Sequence, residues 1–159
     1  MRHFKYLEDI EMENYSYDVL DIDKHLCFHI YATSREIIKI YRPYLDPLGL
    51  TDTQYITMMV LWKEKQLNVK ELGIKLFLDS GTLTPVLKSL EAKGFVTRHR
   101  STKDERVLIV ELTEKGEELK KEAVKIPYTL VKQVNLTREE KDELIKLLSK
   151  ALDPFRKEK

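Results

Sequence analysis

The sequence predicts a mainly α fold with one small β-hairpin, an α+β chain organised as a single domain. Three observations predict it. Only five glycines and five prolines punctuate 159 residues, which favours long helices. Apolar residues recur at spacings of three and four through most of the chain, the period of an amphipathic helix. Between residues 95 and 112 that period gives way to two short apolar, β-branched segments around a polar stretch, the pattern of a hairpin.

The elements follow in order. Residues 1–19 carry mixed charge and no period and are read as an arm. Residues 20–46 form the first long helix, with Leu26, Ile30, Ile37, Tyr41, Tyr44 and Leu45 in one stripe. Pro43 distorts its last turn, and Pro47 and Gly49 stop it. Thr51 opens a capping box with Gln54, and the helix to about Lys65 is apolar all round, so burial on most sides is expected. Asn68 starts a similar box with Glu71 and a short helix to Leu76. Asp79 caps a helix over 80–93, which Gly94 ends in the left-handed position; Pro85 disturbs its first turn. Phe95–Arg100 and Arg106–Leu112 are the hairpin strands, joined by a polar tip, Ser101–Glu105. Thr113 begins a helix to about Lys125 that Pro127 breaks. Thr137 and Glu140 form a third capping box, with a helix to about Asp153.

Helix, short helix, turn, helix, hairpin is the order of a winged helix-turn-helix. Residues 51–112 are therefore read as a DNA-binding region, and 20–50 with 113–159 as dimerisation helices, one domain over 20–153. A recognition helix carries small polar groups at its N-terminal end, where they enter a major groove. Here that end is Asp79, Ser80, Gly81, Thr82, Leu83, Thr84, with Lys88 one turn beyond Thr84 on the same face. Hydroxyls there can donate to phosphates or base edges.

Composition excludes several other classes. Hydrophobic residues are 42% and charged residues 35%, with 28 Lys+Arg against 27 Asp+Glu. The total charge is uninformative, but its distribution is not. Residues 1–26 hold three basic and seven acidic side chains, whereas 93–106 hold five Lys/Arg (93, 98, 100, 103, 106) against Asp104 and Glu105. A basic hairpin beside a recognition helix suits phosphates and a minor groove, so Arg98, Arg100 and Arg106 join the expected DNA contacts. One cysteine, Cys27, excludes an internal disulfide and a multi-cysteine zinc site. His25 and His29 are four residues apart but have no Glu between them as the zincin pattern requires, so no metal and no cofactor are expected. No apolar run approaches a membrane span, and a cytoplasmic protein with no membrane partner is expected.

Three separated blocks carry a family resemblance. Asp104-Glu105-Arg106 followed by Leu112-Thr113-Glu114-Lys115-Gly116 resembles the wing-to-helix signature of MarR-type transcription regulators. Leu78-Asp-Ser-Gly-Thr-Leu-Thr-Pro85 and Leu26-Cys-Phe-His-Ile-Tyr31 are similar to the OhrR branch, repressors that sense organic hydroperoxides. The resemblance covers about residues 20–150. It implies a homodimer built from the first and last helices, reading a pseudo-palindromic double-stranded operator. It places Asp79, Ser80, Thr82 and Thr84 at the DNA and Arg106 in the wing, with Asp104 positioning Arg106.

Cys27 becomes the expected redox sensor under that resemblance. Tyr31, four residues on, shares its helix face. Tyr41, fourteen residues on, is about 21 Å away along a straight helix and can reach only the cysteine of an antiparallel partner. The resemblance likewise has tyrosines of the other subunit engage the cysteine. Phenols donating to sulfur favour the thiolate, the form that attacks a peroxide. The OhrR pattern usually has a further tyrosine where Asp52 stands. With no second cysteine, the oxidised sulfur must meet a small-molecule thiol, cyclise or over-oxidise. The competing expectations are a MarR-like repressor answering a phenolic or aromatic ligand or general thiol stress, a thiol peroxidase, and a winged-helix protein–protein module.

Overall fold

A computed structural model describes residues 20–155; the expected arm, 1–19, lies outside the described residues. The chain groups into two units, Met1–Ile38 and Lys39–Lys159, which divide inside the first helix.

That helix, α1, spans Leu26–Leu45. It starts six residues later than the expected residue 20, at Leu26, the first residue of the apolar stripe. The Asp21 carboxylate accepts from the Asp23 amide at 3.1 Å and sets a 3-10 turn over Ile22–Lys24. His25 is then extended, at φ −83° and ψ 109°, so α-helical geometry begins only at Leu26. Cys27 is therefore the second residue of the helix and not mid-helix. Pro43 lies in the last turn, three residues before the 3-10 turn Asp46–Leu48, and Gly49 closes that turn at φ 65°.

In the second unit α2 (Asp52–Glu64) has the full capping box, with the Thr51 side chain accepting from the Gln54 amide and the Gln54 side chain accepting from the Thr51 amide. Tyr55, Met58, Leu61 and Trp62 enter the core, but Ile56 and Met59 are 41% and 47% exposed. Burial is thus one-sided, and the all-round apolar pattern overstated it. Lys65 turns the chain at φ 65° into β1 (Gln66–Asn68), a strand absent from the sequence reading. Three residues, two of them polar, carry no readable period; β1 exists because it pairs antiparallel with β3, Leu67 opposite Val110.

Asn68 then caps α3 (Val69–Leu76), accepting from the Glu71 amide. Phe77 ends it in the left-handed region, at φ 55°. Asp79 caps α4 (Ser80–Ala92), which runs unbroken through Pro85. Gly94 at φ 76° gives α4 a Schellman ending: the Gly94 amide donates to Glu91 and the Phe95 amide to Leu90. β2 (Val96–Arg100) and β3 (Leu108–Leu112) form the hairpin, and the sheet order is β1-β3-β2. Thr113 caps α5 (Glu114–Ala123).

Pro127 starts a further helix, α6 (Ile126–Gln133), where the sequence reading had it break one. At a second helical position proline's missing N–H is one that has no intrahelical partner anyway. α7 (Arg138–Leu152) has the expected capping box at Thr137 and Glu140, and a 3-10 turn over Asp153–Phe155 follows.

The core lies in the second unit, where α2, α3, α4 and the sheet meet. Leu45, Met58, Leu61, Leu72, Leu83, Leu87, Leu90, Val96 and Val110 are at most 2% exposed. The Trp62 indole N–H crosses this core to the Gly116 carbonyl at 2.8 Å, tying α2 to the start of α5.

Candidate nucleic-acid interface and cysteine site

The N-terminal end of α4 is exposed and locally satisfied. Asp79 accepts the Thr82 amide through Oδ1 and the Thr82 hydroxyl through Oδ2, both at 2.9 Å. These bonds hold the Asp79 carboxyl below its usual range. The Thr84 hydroxyl donates to the Ser80 carbonyl at 2.6 Å. In this structure the Thr82 and Thr84 hydroxyls use their hydrogens inside the helix and present lone pairs outward. Ser80, Thr84 and Lys88 are all exposed and lie four residues apart, so they share a face.

The wing tip is preorganised around one carboxylate. Asp104 Oδ1 accepts from the Arg106 amide and Nε, each at 3.0 Å, and Oδ2 from Nη2 at 3.2 Å. This fork lowers the Asp104 pKa. It also fixes the orientation of an arginine whose side chain is 91% exposed, leaving its remaining N–H groups for an outside acceptor. Arg100 joins from β2, donating to the Arg106 carbonyl at 3.2 Å. The structure thus brings Arg100, Asp104 and Arg106 together, as the resemblance implied for the Asp–Arg pair.

Arg98, also expected at the DNA, is paired inside the chain. Its Nη2 and Nε donate to Glu91 Oε2 at 2.6 and 3.0 Å, and its amide to Oε1 at 3.0 Å. Only 18% of the side chain is exposed. It ties β2 to the last turn of α4. Charge counting cannot tell a surface arginine from one folded back on a glutamate seven residues earlier. The Gly94 turn between them was the available signal. Lys93, counted with the basic hairpin, is also engaged inside the chain, with the Gly49 carbonyl at 2.6 Å and Gln54 Oε1 at 2.7 Å.

Cys27 is exposed in the single chain. Tyr31, in the same unit, is 58% exposed and held by a residue the sequence reading did not single out. Arg35 Nη1 donates to the Tyr31 hydroxyl at 3.0 Å, with its guanidinium carbon 5.5 Å from the ring centroid. Arginine only donates, so the phenol keeps its own hydrogen for another acceptor. Tyr41 belongs to the second unit, half-buried edge-on against Tyr55 at 5.9 Å; Tyr55 meets Trp62 likewise at 6.1 Å. Burial raises the Tyr41 pKa and pushes Tyr55 to about 12, so both phenols stay protonated donors at neutral pH. Asp52, the departure from the tyrosine pattern, is half-buried as the first residue of α2 and accepts from the Thr53 hydroxyl at 3.4 Å.

His29 Nδ1 is 2.8 Å from the His25 carbonyl oxygen. Among the described residues no group of three His, Cys, Asp or Glu is placed to hold a metal ion, and no helix is long and apolar enough to cross a membrane. Large apolar side chains stay exposed on α1, where Leu26 is 67% exposed and Ile30 43%. On α7, Ile145 is 54% exposed and Leu147 57%.

Comparison with known proteins agrees with this arrangement. The model of the transcriptional regulator SarA/Rot family matches residues 39–123. The organic hydroperoxide resistance transcriptional regulator of Bacillus subtilis is 45% identical over 138 residues, 87% of this chain and 91% of the relative. SarZ, an HTH-type transcriptional regulator of Staphylococcus epidermidis, is 45% identical over 78% of this chain and 84% of its own length. Among solved structures, reduced AbfR bound to DNA is 30% identical with a TM-score of 0.72, covering 87% of this chain and 96% of that one. The chain belongs to the SarA/Rot transcriptional regulators of the MarR winged-helix type, among the relatives of the organic hydroperoxide resistance regulator.

Proposed function

We propose that the protein is a homodimeric, DNA-binding transcription repressor that releases its operator when an organic hydroperoxide oxidises Cys27. The observation that carries this is the chain's one cysteine standing exposed on α1, in a chain 45% identical to a regulator named for organic hydroperoxide resistance. AbfR, 30% identical, is bound to DNA both in its reduced form and in an overoxidised form, which supports DNA binding here and makes the thiol adduct, rather than oxidation of the sulfur alone, the step that releases DNA.

The dimer forms through α1 and α7, whose exposed apolar side chains need a partner. Each protomer offers one reading head, residues 51–112. Ser80, Thr82, Thr84 and Lys88 meet the major groove, and Arg100 and Arg106 meet phosphates and the flanking groove. Two heads reach two half-sites only when these lie about one helical turn, roughly 34–36 Å, apart.

The Cys27 thiolate attacks the outer oxygen of the hydroperoxide. An S–O bond forms and the O–O bond breaks. Sulfur loses two electrons, and the alkoxide leaves and takes a proton to become an alcohol. The sulfenic acid then condenses with a cytoplasmic small-molecule thiol, giving a mixed disulfide and water. Tyr31 and the partner's copy of Tyr41 donate to the sulfur. A bulky adduct between the dimer helices changes the separation of the heads. The chain acts in the cytoplasm as a stoichiometric switch and not as an enzyme.

Intact mass spectrometry after treatment with cumene hydroperoxide and a small thiol tests this. One thiol adduct per chain, at Cys27, with matching loss of operator affinity, is expected. Release of DNA without any change at Cys27 refutes it.

The wing supplies a second test. Arg106→Ala should weaken binding to all duplexes alike and lower the slope of affinity against salt by about one per head. Asp104→Asn removes a negative charge, so simple attraction to DNA would strengthen. Loss of the fork should instead weaken binding; tighter binding by Asp104→Asn in a gel shift refutes the positioning role.

A further inference from the structure

The two ends of α4 are held differently. Its C-terminal turn is bolted to three other elements. Ser89 accepts from Gln54 Nε2 of α2 at 2.9 Å. Glu91 takes Arg98 of β2, which holds the Glu91 carboxyl below its usual range. Lys93 donates to Gly49, in the corner between α1 and α2, and to Gln54 Oε1; its own carbonyl accepts from Lys115 of α5 at 2.7 Å. Gln54 is the hub. It is 5% exposed, and its Oε1 also accepts the Thr51 amide at 3.1 Å. At the other end, the bonds made by Asp79, Thr82 and Thr84 stay within the helix itself.

Between these ends α4 rests on an apolar stripe, Leu83, Leu87 and Leu90, each at most 1% exposed. Apolar contact is non-directional, so it seats the helix without fixing its roll or its position along the axis. Hydrogen bonds to charged groups have direction and are the stronger kind. Thirteen residues span about 20 Å, so a tilt of three degrees at the bolted end moves the reading end by about 1 Å, enough to misplace a hydrogen bond to a base.

We infer that Gln54 and Lys93 form the joint that sets the aim of the recognition helix and are positioning residues for operator specificity, though neither reaches the DNA. The inference rests on the operator-binding function proposed above.

The probe is the duplex that the wild-type protein enriches from a random-sequence pool, measured against a shuffled duplex of equal length. For Lys93→Met and Gln54→Leu, affinity for the enriched duplex should fall about tenfold. Affinity for the shuffled duplex and the salt slope should be unchanged. Gln54→Glu keeps an acceptor for Lys93 and one for the Ser89 hydroxyl, and should stay within about threefold of wild type. A parallel fall on both duplexes, with a smaller salt slope, makes Lys93 a phosphate contact and overturns the joint. Unchanged affinity in both variants overturns it too. If circular dichroism shows either variant unfolded, Ser89→Ala decides, because it deletes one bond and leaves the ammonium in place: about a threefold loss on the enriched duplex alone supports the joint, and none overturns it. A wild type with no preference for any duplex overturns the function and the joint together.

Discussion

Cys27→Ser is expected to bind operator DNA as the wild type does and to stay bound in cumene hydroperoxide. The wild type under the same treatment should lose affinity by about 10- to 100-fold, the range of ordinary coupling between two sites. The reason is chemical. Serine fills nearly the same space at the second position of α1, so the fold and the reading head are undisturbed. Its hydroxyl carries no thiolate, so it cannot attack the O–O bond or condense with a small thiol. A serine variant that leaves the DNA as readily as the wild type would sink the sensor mechanism and favour a bound effector. The proximity of Arg35 to Tyr31 adds a graded version: Tyr31→Phe should keep DNA binding and slow oxidation of Cys27, seen as a lower rate of sulfenic acid trapping.

Gly116→Ala is the largest expected loss of stability. A β carbon there meets the Phe95 carbonyl oxygen and lies 2.8 Å from Leu112 Cδ1. The first of these is backbone at the start of β2 and cannot rotate away. The Gly116 carbonyl also receives the buried Trp62 indole, so retreat of α5 breaks that bond. Overpacking with a lost hydrogen bond costs about 3 kcal/mol, which for a chain of this size lowers Tm by about 10 °C. Calorimetry at one fixed protein concentration measures it, since dimerisation makes Tm concentration-dependent. A melting point within about 2 °C of wild type means that the β2–α5 junction has slack the structure does not show. The operator contacts proposed for Ser80 and Arg106 lie elsewhere, so the folded fraction should still bind DNA.

Much of this was legible in the chain because it is local. Thr51 with Gln54, Asp79, Thr113, and Thr137 with Glu140 sit where helices begin, since a cap needs only a side chain and an amide two or three residues on. Gly94 ends α4 for the same kind of reason. The Asp104–Arg106 fork spans two residues, and it too could be written down in advance. Pro127 misled because proline is local evidence with two meanings, a breaker inside a helix and a good residue in its first turn. The start of α1 was misplaced because Asp21 captures the backbone in a 3-10 turn ahead of the apolar stripe, which itself begins at Leu26.

The sequence by itself determined the helix order, the hairpin, the exposed polar end of α4 and the single sulfur on which any redox response must run. Only the tertiary structure decided which charges face outward. It turned Arg98 onto Glu91 and Lys93 onto Gly49 and Gln54, paired β1 with β3, and gave Tyr41 to Tyr55. The physical reason is range. Caps and periods are set by backbone bonds within about four residues, whereas the partner of a long cationic side chain depends on which distant element the apolar core brings within 3 Å of it.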